Sequence, residues 1–389
     1  MSSINENNEI VLLSTADWDN PFWTNKQHVA VEFARRGYKV FYIDSLGLRK
    51  PSMNKKDLSR IFRRLFKALR PPKKVQKNIW VWSPITLPWN QYSFVRKFNR
   101  LYFKFFLTVW SKIYGFKRPW LWTYNPLSTE YIEPSDFTKT IYHCVDEIKA
   151  QPGMPIEILE REERVLLSKS DIVFVTAPKL KENRVQWNDN IYYFSNVADF
   201  SHFNRAIVEK FDKPVELVNL EGPVLGFIGA VSSYKIDFSL LSKLAETRPG
   251  YNIVIIGLVG EGDPSTNINT LTKHNNIHLI GPKDYSILPV YLKYFDVALL
   301  PNHINEYTDN MFPMKFFEYL AAGKPVVSVN LKAIQEFSNV VKIGRNPEEF
   351  IDCVDQVLAG DVADLNTRLD LAQQYTYESR MDKMLKLID

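Results

Sequence analysis

Short apolar runs alternating with helix-spaced patterns, twice over, constrain this chain more than any other feature. Runs at 10–14 and 39–43 flank a helical pattern at 27–36, closed by Gly37, a residue suited to the positive φ of a helix C-cap. Further apolar runs follow at 121–123, 140–143, 172–176 and 191–194, with a helical pattern over 157–167. The polar stretch 204–219, which contains Pro214, reads as a domain link. The same grammar then restarts, with strands expected at 224–228, 253–256, 277–280, 297–300 and 326–329. Helices are expected between them at 238–244, 286–294, 313–321 and 331–337, and a charged helical pattern closes the chain at 361–387. Such alternation predicts parallel sheets covered by helices on both faces. A length of 389 residues favours two cores over one. The fold class is therefore α/β, with two similar domains whose strand C-termini face a common ligand cleft.

Charge is distributed unevenly along this framework. The formal net charge is only +5. Residues 49–118, however, hold 19 Lys and Arg against the single acid Asp57, a local +18, which leaves −13 on the rest of the chain. Within that basic–aromatic insertion Leu58, Ile61, Phe62, Leu65, Phe66 and Leu69 fall on one helical face, with Arg60, Arg63, Arg64 and Lys67 mostly around the other side. A second basic–aromatic helix is expected over 92–114, carrying Phe98, Tyr102, Phe105, Phe106 and Trp110. A patch of this kind attracts an anionic surface, whether phospholipid, nucleic acid or anionic glycan. No stretch is long and apolar enough to span a bilayer, and the first residues lack the basic flank and apolar core of a signal peptide. Only Cys144 and Cys353 are present, which excludes a disulfide framework or a cysteine-rich metal site and fits a reducing, cytoplasmic setting.

The most informative run is 310–328, Asn-Met-Phe-Pro-Met-Lys-Phe-Phe-Glu-Tyr-Leu-Ala-Ala-Gly-Lys-Pro-Val-Val-Ser. Pro313 suits the first position of a helix, where a missing amide proton costs nothing. Lys315 and Glu318, three apart, project from one face. Helix N-terminal amides with Lys315 can receive a phosphate, and Glu318 can accept hydrogen bonds from a ribose diol. An ordinary capped helix with an i,i+3 ion pair explains the spacing equally well. Gly323 supplies the turn and Lys324 is expected to face solvent behind it.

This run resembles the donor-site signature of GT-B glycosyltransferases related to glycosyltransferase families 1 and 4. The resemblance implies two Rossmann-like domains, with a nucleotide diphosphate sugar held by the C-terminal one. It implies that Glu318 holds the nucleotide ribose and that Lys315 faces the phosphates. Retaining relatives of this type carry an acid eight positions before the glutamate; here that place is Asn310, with Asp309 beside it. Asn196-Val-Ala-Asp199 resembles the Asn-Gly-Val-Asp segment that enters the interdomain linker, with Val197 in place of glycine. Gly226-Phe-Ile-Gly229 resembles a glycine-rich turn whose amides approach the diphosphate, with Lys235 close behind it. Gly257, Gly281 and the run 296–301 sit where such a domain expects them, and Tyr285, which follows Gly281-Pro-Lys-Asp284, either lies near the base or caps the following helix. Tyr377-Glu-Ser-Arg380 resembles a Trp-x-x-Arg end. The matches cover 196–380. Domains are accordingly expected at 1–205 and 206–370, with a terminal helix at 371–389 packing back toward the first.

In the N-terminal half, 18–23 (Trp-Asp-Asn-Pro-Phe-Trp) follows the first strand, and its aromatics either stack on a sugar or pack the loop. The segment 142–147 (Tyr-His-Cys-Val-Asp-Glu) resembles an aromatic–x–x–x–Asp-Asp/Glu element of surface-polysaccharide transferases. It makes Asp146 the candidate catalytic base, or an acceptor-orienting group in a retaining reaction, and His143 a second candidate. No His/Asp/Cys cluster has metal-ligand spacing, so no metal is expected, and basic residues with helix dipoles would stabilise the departing diphosphate. The expected activity is transfer of a sugar from a nucleotide diphosphate sugar, UDP-linked by analogy, to a lipid-linked or growing surface polysaccharide at the inner face of a membrane. A nucleotide-sugar epimerase on the same framework and a non-enzymatic anionic-polymer-binding protein are the competing readings. No nucleic-acid partner is expected, since no nucleic-acid-binding fold is legible.

Overall fold

In a computed structural model of the chain, residues 8–20, 23–46, 71–87 and 92–388 are described. The basic segment 47–70, including the apolar stripe from Leu58 to Leu69, lies outside them. Two compact units are formed. The first comprises 1–176 and 180–194 with Ile388, and the second comprises 177–179 and 195–387 with Asp389.

The first unit holds strands β1 (Glu9–Leu13), β2 (Lys39–Ile43), β3 (Lys73–Gln76), β4 (Ile79–Trp82), β5 (Trp120–Thr123), β6 (Thr140–Cys144), β7 (Ile172–Val175) and β8 (Ile191–Tyr193). They form one sheet in the order β3-β4-β2-β1-β5-β6-β7-β8. Every pairing is parallel except β3 with β4. The hairpin β3–β4 was not anticipated. It lies in the basic insertion, which therefore extends the sheet instead of hanging from it. Asn78 turns the hairpin with φ 66°, a left-handed conformation that Asn tolerates better than most residues. β3, Lys-Lys-Val-Gln, does not read as an apolar run, and β4, Ile-Trp-Val-Trp, is apolar but only four residues long. Helix α1 (Asn25–Arg35) follows β1, and α2 (Ser93–Ile113) matches the expected second basic–aromatic helix.

The second unit contains β9 (Val224–Ile228), β10 (Asn252–Ile256), β11 (Ile277–Gly281), β12 (Val297–Leu300), β13 (Val326–Val329) and β14 (Val341–Gly344). Their order is β11-β10-β9-β12-β13-β14, all parallel. Renumbered from its first strand this is 3-2-1-4-5-6, the dinucleotide-binding arrangement. The order reverses between β9 and β12, so a crevice opens beyond their carboxyl ends. The interiors of β9, β10, β12 and β13 are buried, as expected of a sheet covered on both faces, and the edge strands β11 and β14 are only partly so.

The stretch expected as a domain link instead begins with helix α3 (Phe200–Val208). Asp199 caps it by accepting from the His202 amide, and Phe203 and Ala206 enter the second unit's core. That burial explains why the second unit starts at Ser195, earlier than 206.

Close backbone approach fixes one glycine in this sheet. A Cβ at Gly257 would fall well inside contact distance of the Gly229 carbonyl oxygen, a backbone atom with no freedom to retreat. Gly257→Ala is therefore expected to destabilise the chain by about 1–3 kcal/mol, the usual cost of overpacking. Urea unfolding should show a lowered midpoint, and an unchanged midpoint would mean that the β9 and β10 ends are slack.

Candidate active site

The site builds from α4 (Lys315–Ala321), a seven-residue helix between β12 and β13. It begins two residues after Pro313, so that proline forms the preceding turn, closed by Phe316 N–H to the Pro313 carbonyl at 3.1 Å. The i,i+3 spacing produces an ion pair, Lys315 Nζ to Glu318 Oε2 at 2.6 Å. Glu318 is only 4% exposed. Burial raises its pKa, and the Lys315 ammonium pulls it back down. Oε2 is engaged by Lys315, while Oε1 takes no hydrogen bond from any described residue.

Neighbouring residues of the same motif hold this pair in place. The Ile228 amide, at the end of β9, donates to the Tyr319 hydroxyl at 2.9 Å, which fastens α4 to the switch-point strand. Gly323, at φ 72°, ends the helix in a Schellman turn. Its amide reaches the Leu320 carbonyl at 2.8 Å, and the Lys324 amide reaches Tyr319 at 2.9 Å. Lys324 does not face open solvent as expected. Its ammonium donates to the Lys293 carbonyl at 2.8 Å, and burial lowers its pKa to about 8. Arg368 donates twice to the Gly323 carbonyl, at 3.2 and 2.8 Å.

A strap at 195–199 approaches from the start of the unit. The Asn196 side-chain Nδ2 donates to the Phe312 carbonyl at 2.6 Å, and the Ala198 backbone amide to the Tyr375 carbonyl at 3.1 Å. Arg380 lies over the Tyr377 ring at 5.2 Å and donates to the Ser195 carbonyl at 3.2 Å, which gives the Tyr-x-x-Arg end a structural task. Asp199 thereby stands close enough to raise the pKa of Glu318. Tyr285 joins the group. Its ring stacks on His202 with centroids 4.2 Å apart and planes at 10°, and His202 Nε2 lies 2.9 Å from the Tyr285 carbonyl. Burial, then the Glu318 charge, pushes the Tyr285 hydroxyl far above its ordinary pKa. Burial lowers the pKa of His202. The structure thus gathers Lys315, Glu318 and Tyr285 with Asp199 and His202. His202 was missed in the sequence, where its only signal is its place three residues after a capping aspartate.

The loop 229–235 follows β9, one of the two strands between which the order reverses. Gly229's own amide is committed to the Ile256 carbonyl at 2.9 Å. The amides of Ala230 and Ser232 find no acceptor among the described residues, nor does the buried Ser232 Oγ find a partner. Lys235 Nζ lies 5.3 Å from the Tyr234 ring centre and 5.2 Å from that of Tyr307, with no carboxylate partner among the described residues. Side-chain bonds grip this loop from two directions. Asn302 donates to the Lys235 carbonyl at 3.2 Å and Asn305 to Tyr234 at 2.7 Å. On the far side Ser265 Oγ and Ser233 Oγ donate to Asp263, the latter at 2.7 Å, and these bonds, that from Ser265 above all, lower the Asp263 pKa. Asp309 is half-buried in the turn Glu306–Asp309, and the buried Asn310 donates to the Glu306 carbonyl at 2.8 Å.

In the first unit, His143 is fully buried on β6 between the rings of Trp122, Tyr124 and Phe174. That is a core position, out of reach of an acceptor hydroxyl. Asp146 lies just past the strand and is half-buried, and its carbonyl accepts from the Ile148 amide at 3.1 Å. Beside it, buried Glu147 receives a two-pronged bond from Arg184 at 3.0 Å, and Arg184 also bonds Glu163, which anchors the loop. Trp18 packs edge-on against Tyr42 at 5.1 Å and its amide donates to Asp44 at 2.8 Å, so it builds the loop after β1. Pro21 and Phe22 lie outside the described residues. Among the described residues no group of three or more His, Cys, Asp or Glu is placed to hold a metal.

Residues 222–360 match the family described as Glycosyl transferases group 1. Over 238 residues the chain is 27% identical to TuaH of Bacillus subtilis (strain 168), which is named for teichuronic acid biosynthesis as a glycosyltransferase. That alignment covers 59% of this chain and 58% of TuaH, less than two thirds of the relative's length. Among solved structures, sucrose-phosphate synthase from Thermosynechococcus elongatus superimposes with TM-score 0.68 at 15% identity, over 98% of each chain. Anabaena Alr3699/HepE, solved with UDP, gives 0.65 at 11% identity, over 98% of this chain and 99% of that one. Residues 222–360 thus resemble the glycosyl transferases of group 1, and the chain as a whole has the GT-B fold. At these identities the structural likeness establishes the fold, two Rossmann-like domains, and the matched family covers the unit that carries Glu318.

Burying the Glu318 carboxylate has a cost. Glu318 holds protons more tightly folded than unfolded, so its ionisation works against folding as pH rises from about 4.5 toward its higher folded value. Glu318→Gln is expected to unfold no more easily than the native chain at neutral pH, and to show a flatter stability profile above about pH 4.5. Urea titrations at several pH values check this. A large loss of stability at pH 7 would make the pair a structural element.

Proposed function

We propose that this chain transfers a sugar from a nucleotide diphosphate sugar, with UDP the first nucleotide to test. One observation carries the reading: a buried, ionisable Glu318 with one oxygen held by Lys315 and the other free of protein donors, inside the Pro313–Pro325 run. Such a carboxylate suits a vicinal diol, which offers two O–H donors and no charge. Lys235 and Lys315 supply cations for the diphosphate, and the Ala230 and Ser232 amides supply neutral donors beside Lys235. As the sugar leaves, negative charge builds on the diphosphate, and these preplaced donors would stabilise it without reorganisation. The relation to TuaH and the likeness to a structure solved with UDP support the same assignment.

The acceptor, in this reading, is a lipid-linked or growing surface polysaccharide at an anionic membrane surface facing the cytoplasm. Its support is the +18 segment and the buried, unpaired cysteines. No helix among the described residues is long and apolar enough to cross a membrane. Asp146, at the end of β6, is the proposed base or acceptor-orienting group.

Incubation with a panel of nucleotide sugars and a membrane extract, with detection of released nucleotide and new linkage, tests the reaction class. Release of nucleotide without a glycosylated product, or no release from any donor, counts against it. Glu318→Ala should weaken nucleotide binding by about 1.5–3 kcal/mol, the worth of a hydrogen bond to a charged group, as read by calorimetry. Unchanged affinity for the authentic nucleotide rejects the ribose role. Asp146→Asn should slow transfer by about 10²–10⁴ while leaving donor affinity intact. Normal turnover with the normal linkage eliminates Asp146 as an essential base.

A further inference from the structure

Helix α2 buries one face and leaves an unusual one outside. Val95, Asn99, Phe103 and Leu107 pack inward on the first unit. Phe94, Phe98, Leu101 and Phe105 are 70%, 53%, 61% and 62% exposed. Their spacing of four, three and four places them in one stripe, roughly across the helix from the buried face, and about 17 Å long at 1.5 Å per residue. Single exposed apolar residues need no explanation, but four large ones in line do.

The charges of the helix sort by side. Its sequence holds five Lys and Arg and no acid. Arg96, Arg100 and Lys104 turn toward the first unit's carboxylates, at 3.9 Å from Glu130, 3.3 Å from Glu133 and 3.0 Å from Asp136. Lys97 and Lys112 do not. Both are exposed, border the aromatic stripe, and have no carboxylate partner among the described residues.

We infer that this stripe is the membrane-contacting surface, entering the headgroup–acyl boundary of an anionic phospholipid bilayer while Lys97 and Lys112 meet the headgroup phosphates. The stripe runs along the exposed face of one helix as a ridge of apolar side chains. A fluid interface accepts such a ridge, because aromatic side chains lodge at headgroup level and lysine stems snorkel outward. Charge complementarity selects the anionic lipid: the ridge is flanked by unpaired cations within a segment of +18. A second copy of the chain would bring the same cations against each other. The inference rests on the membrane-surface reading above and deepens it by moving the contact to described residues 94–112.

The test is co-sedimentation of the full chain with phosphatidylcholine vesicles and with mixed phosphatidylcholine–phosphatidylglycerol vesicles, without any donor. The native chain should bind the mixed vesicles and bind phosphatidylcholine weakly. Phe98→Ser combined with Phe105→Ser should lower the partition coefficient roughly tenfold or more, since apolar contact is lost. Lys97→Gln combined with Lys112→Gln should lower it too, and should flatten its dependence on salt. Both pairs lie on an exposed face, and unchanged circular dichroism and nucleotide affinity would show the fold intact. Equal binding by the native and serine variants overturns the inference. So does a native dimer that the serine substitutions dissolve in a chain that ignores vesicles, because the stripe is then a subunit contact. Loss of nucleotide-sugar turnover with unchanged vesicle binding would count against the transferase reading alone.

Discussion

The second unit is organised around one buried ion pair, Lys315 with Glu318. A carboxylate this deep loses most of its hydration, and one short bond to an ammonium returns only part of it. An apolar pair of the same volume would serve folding as well or better. The surrounding structure nevertheless converges on keeping the pair in register. Tyr319 ties the helix to the end of β9, the Schellman turn at Gly323 stops it after seven residues, and Arg368 holds the turn's carbonyl. The strap 195–199, pinned by Asn196, Ala198 and Arg380, adds Asp199 and, through α3, His202. So much fixing of an electrostatically costly group is what a preorganised ligand contact requires, because the reorganisation is completed during folding.

Topology decides where this cost is concentrated. In the order β11-β10-β9-β12-β13-β14, the chain leaves β9 and β12 in opposite directions, so loops diverge and leave space beyond the strand ends. The loop after β9 carries Lys235, and the segment after β12 carries Asn302 and Asn305, which bind that loop's carbonyls. Those bonds leave the Lys235 ammonium to the rings of Tyr234 and Tyr307. A cation resting on aromatic faces keeps its charge available, whereas a cation paired with a carboxylate would have to break that pair to receive a phosphate.

Much of this was legible beforehand, for identifiable reasons. Strands buried on both faces read as continuous apolar runs, and this is why β9, β12 and β13 fell where the sequence placed them. The hairpin β3–β4 did not read so, because Lys73, Lys74 and Gln76 sit on an exposed edge. The i,i+3 spacing of Lys315 and Glu318 specified their contact, but not that the helix would begin at Lys315 instead of Pro313. Asn310 stands where retaining relatives carry an acid, and its side-chain amide donates to the Glu306 carbonyl, a local bond to the backbone that spacing alone does not announce. His143 illustrates a different limit. Strand position gives the direction of a side chain only modulo the two faces of the sheet, and when both faces are covered neither direction leads to solvent.

The same logic explains how the chain can carry +18 over seventy residues without disturbing its first unit. Like charges so concentrated would repel one another unless met by acids from elsewhere. Glu130, Glu133 and Asp136, from the segment just beyond the basic region, meet Arg96, Arg100 and Lys104 along one edge of α2. These are exposed or half-exposed pairs of small individual value, and their effect is less to stabilise than to spend charge on one side of the helix. What is left unpaired then points the other way, beside Phe94, Phe98, Leu101 and Phe105. A uniformly basic helix would be attracted to any polyanion with no preferred face. Selective pairing gives this one a direction, because its cations left without a carboxylate among the described residues share the side of the exposed rings.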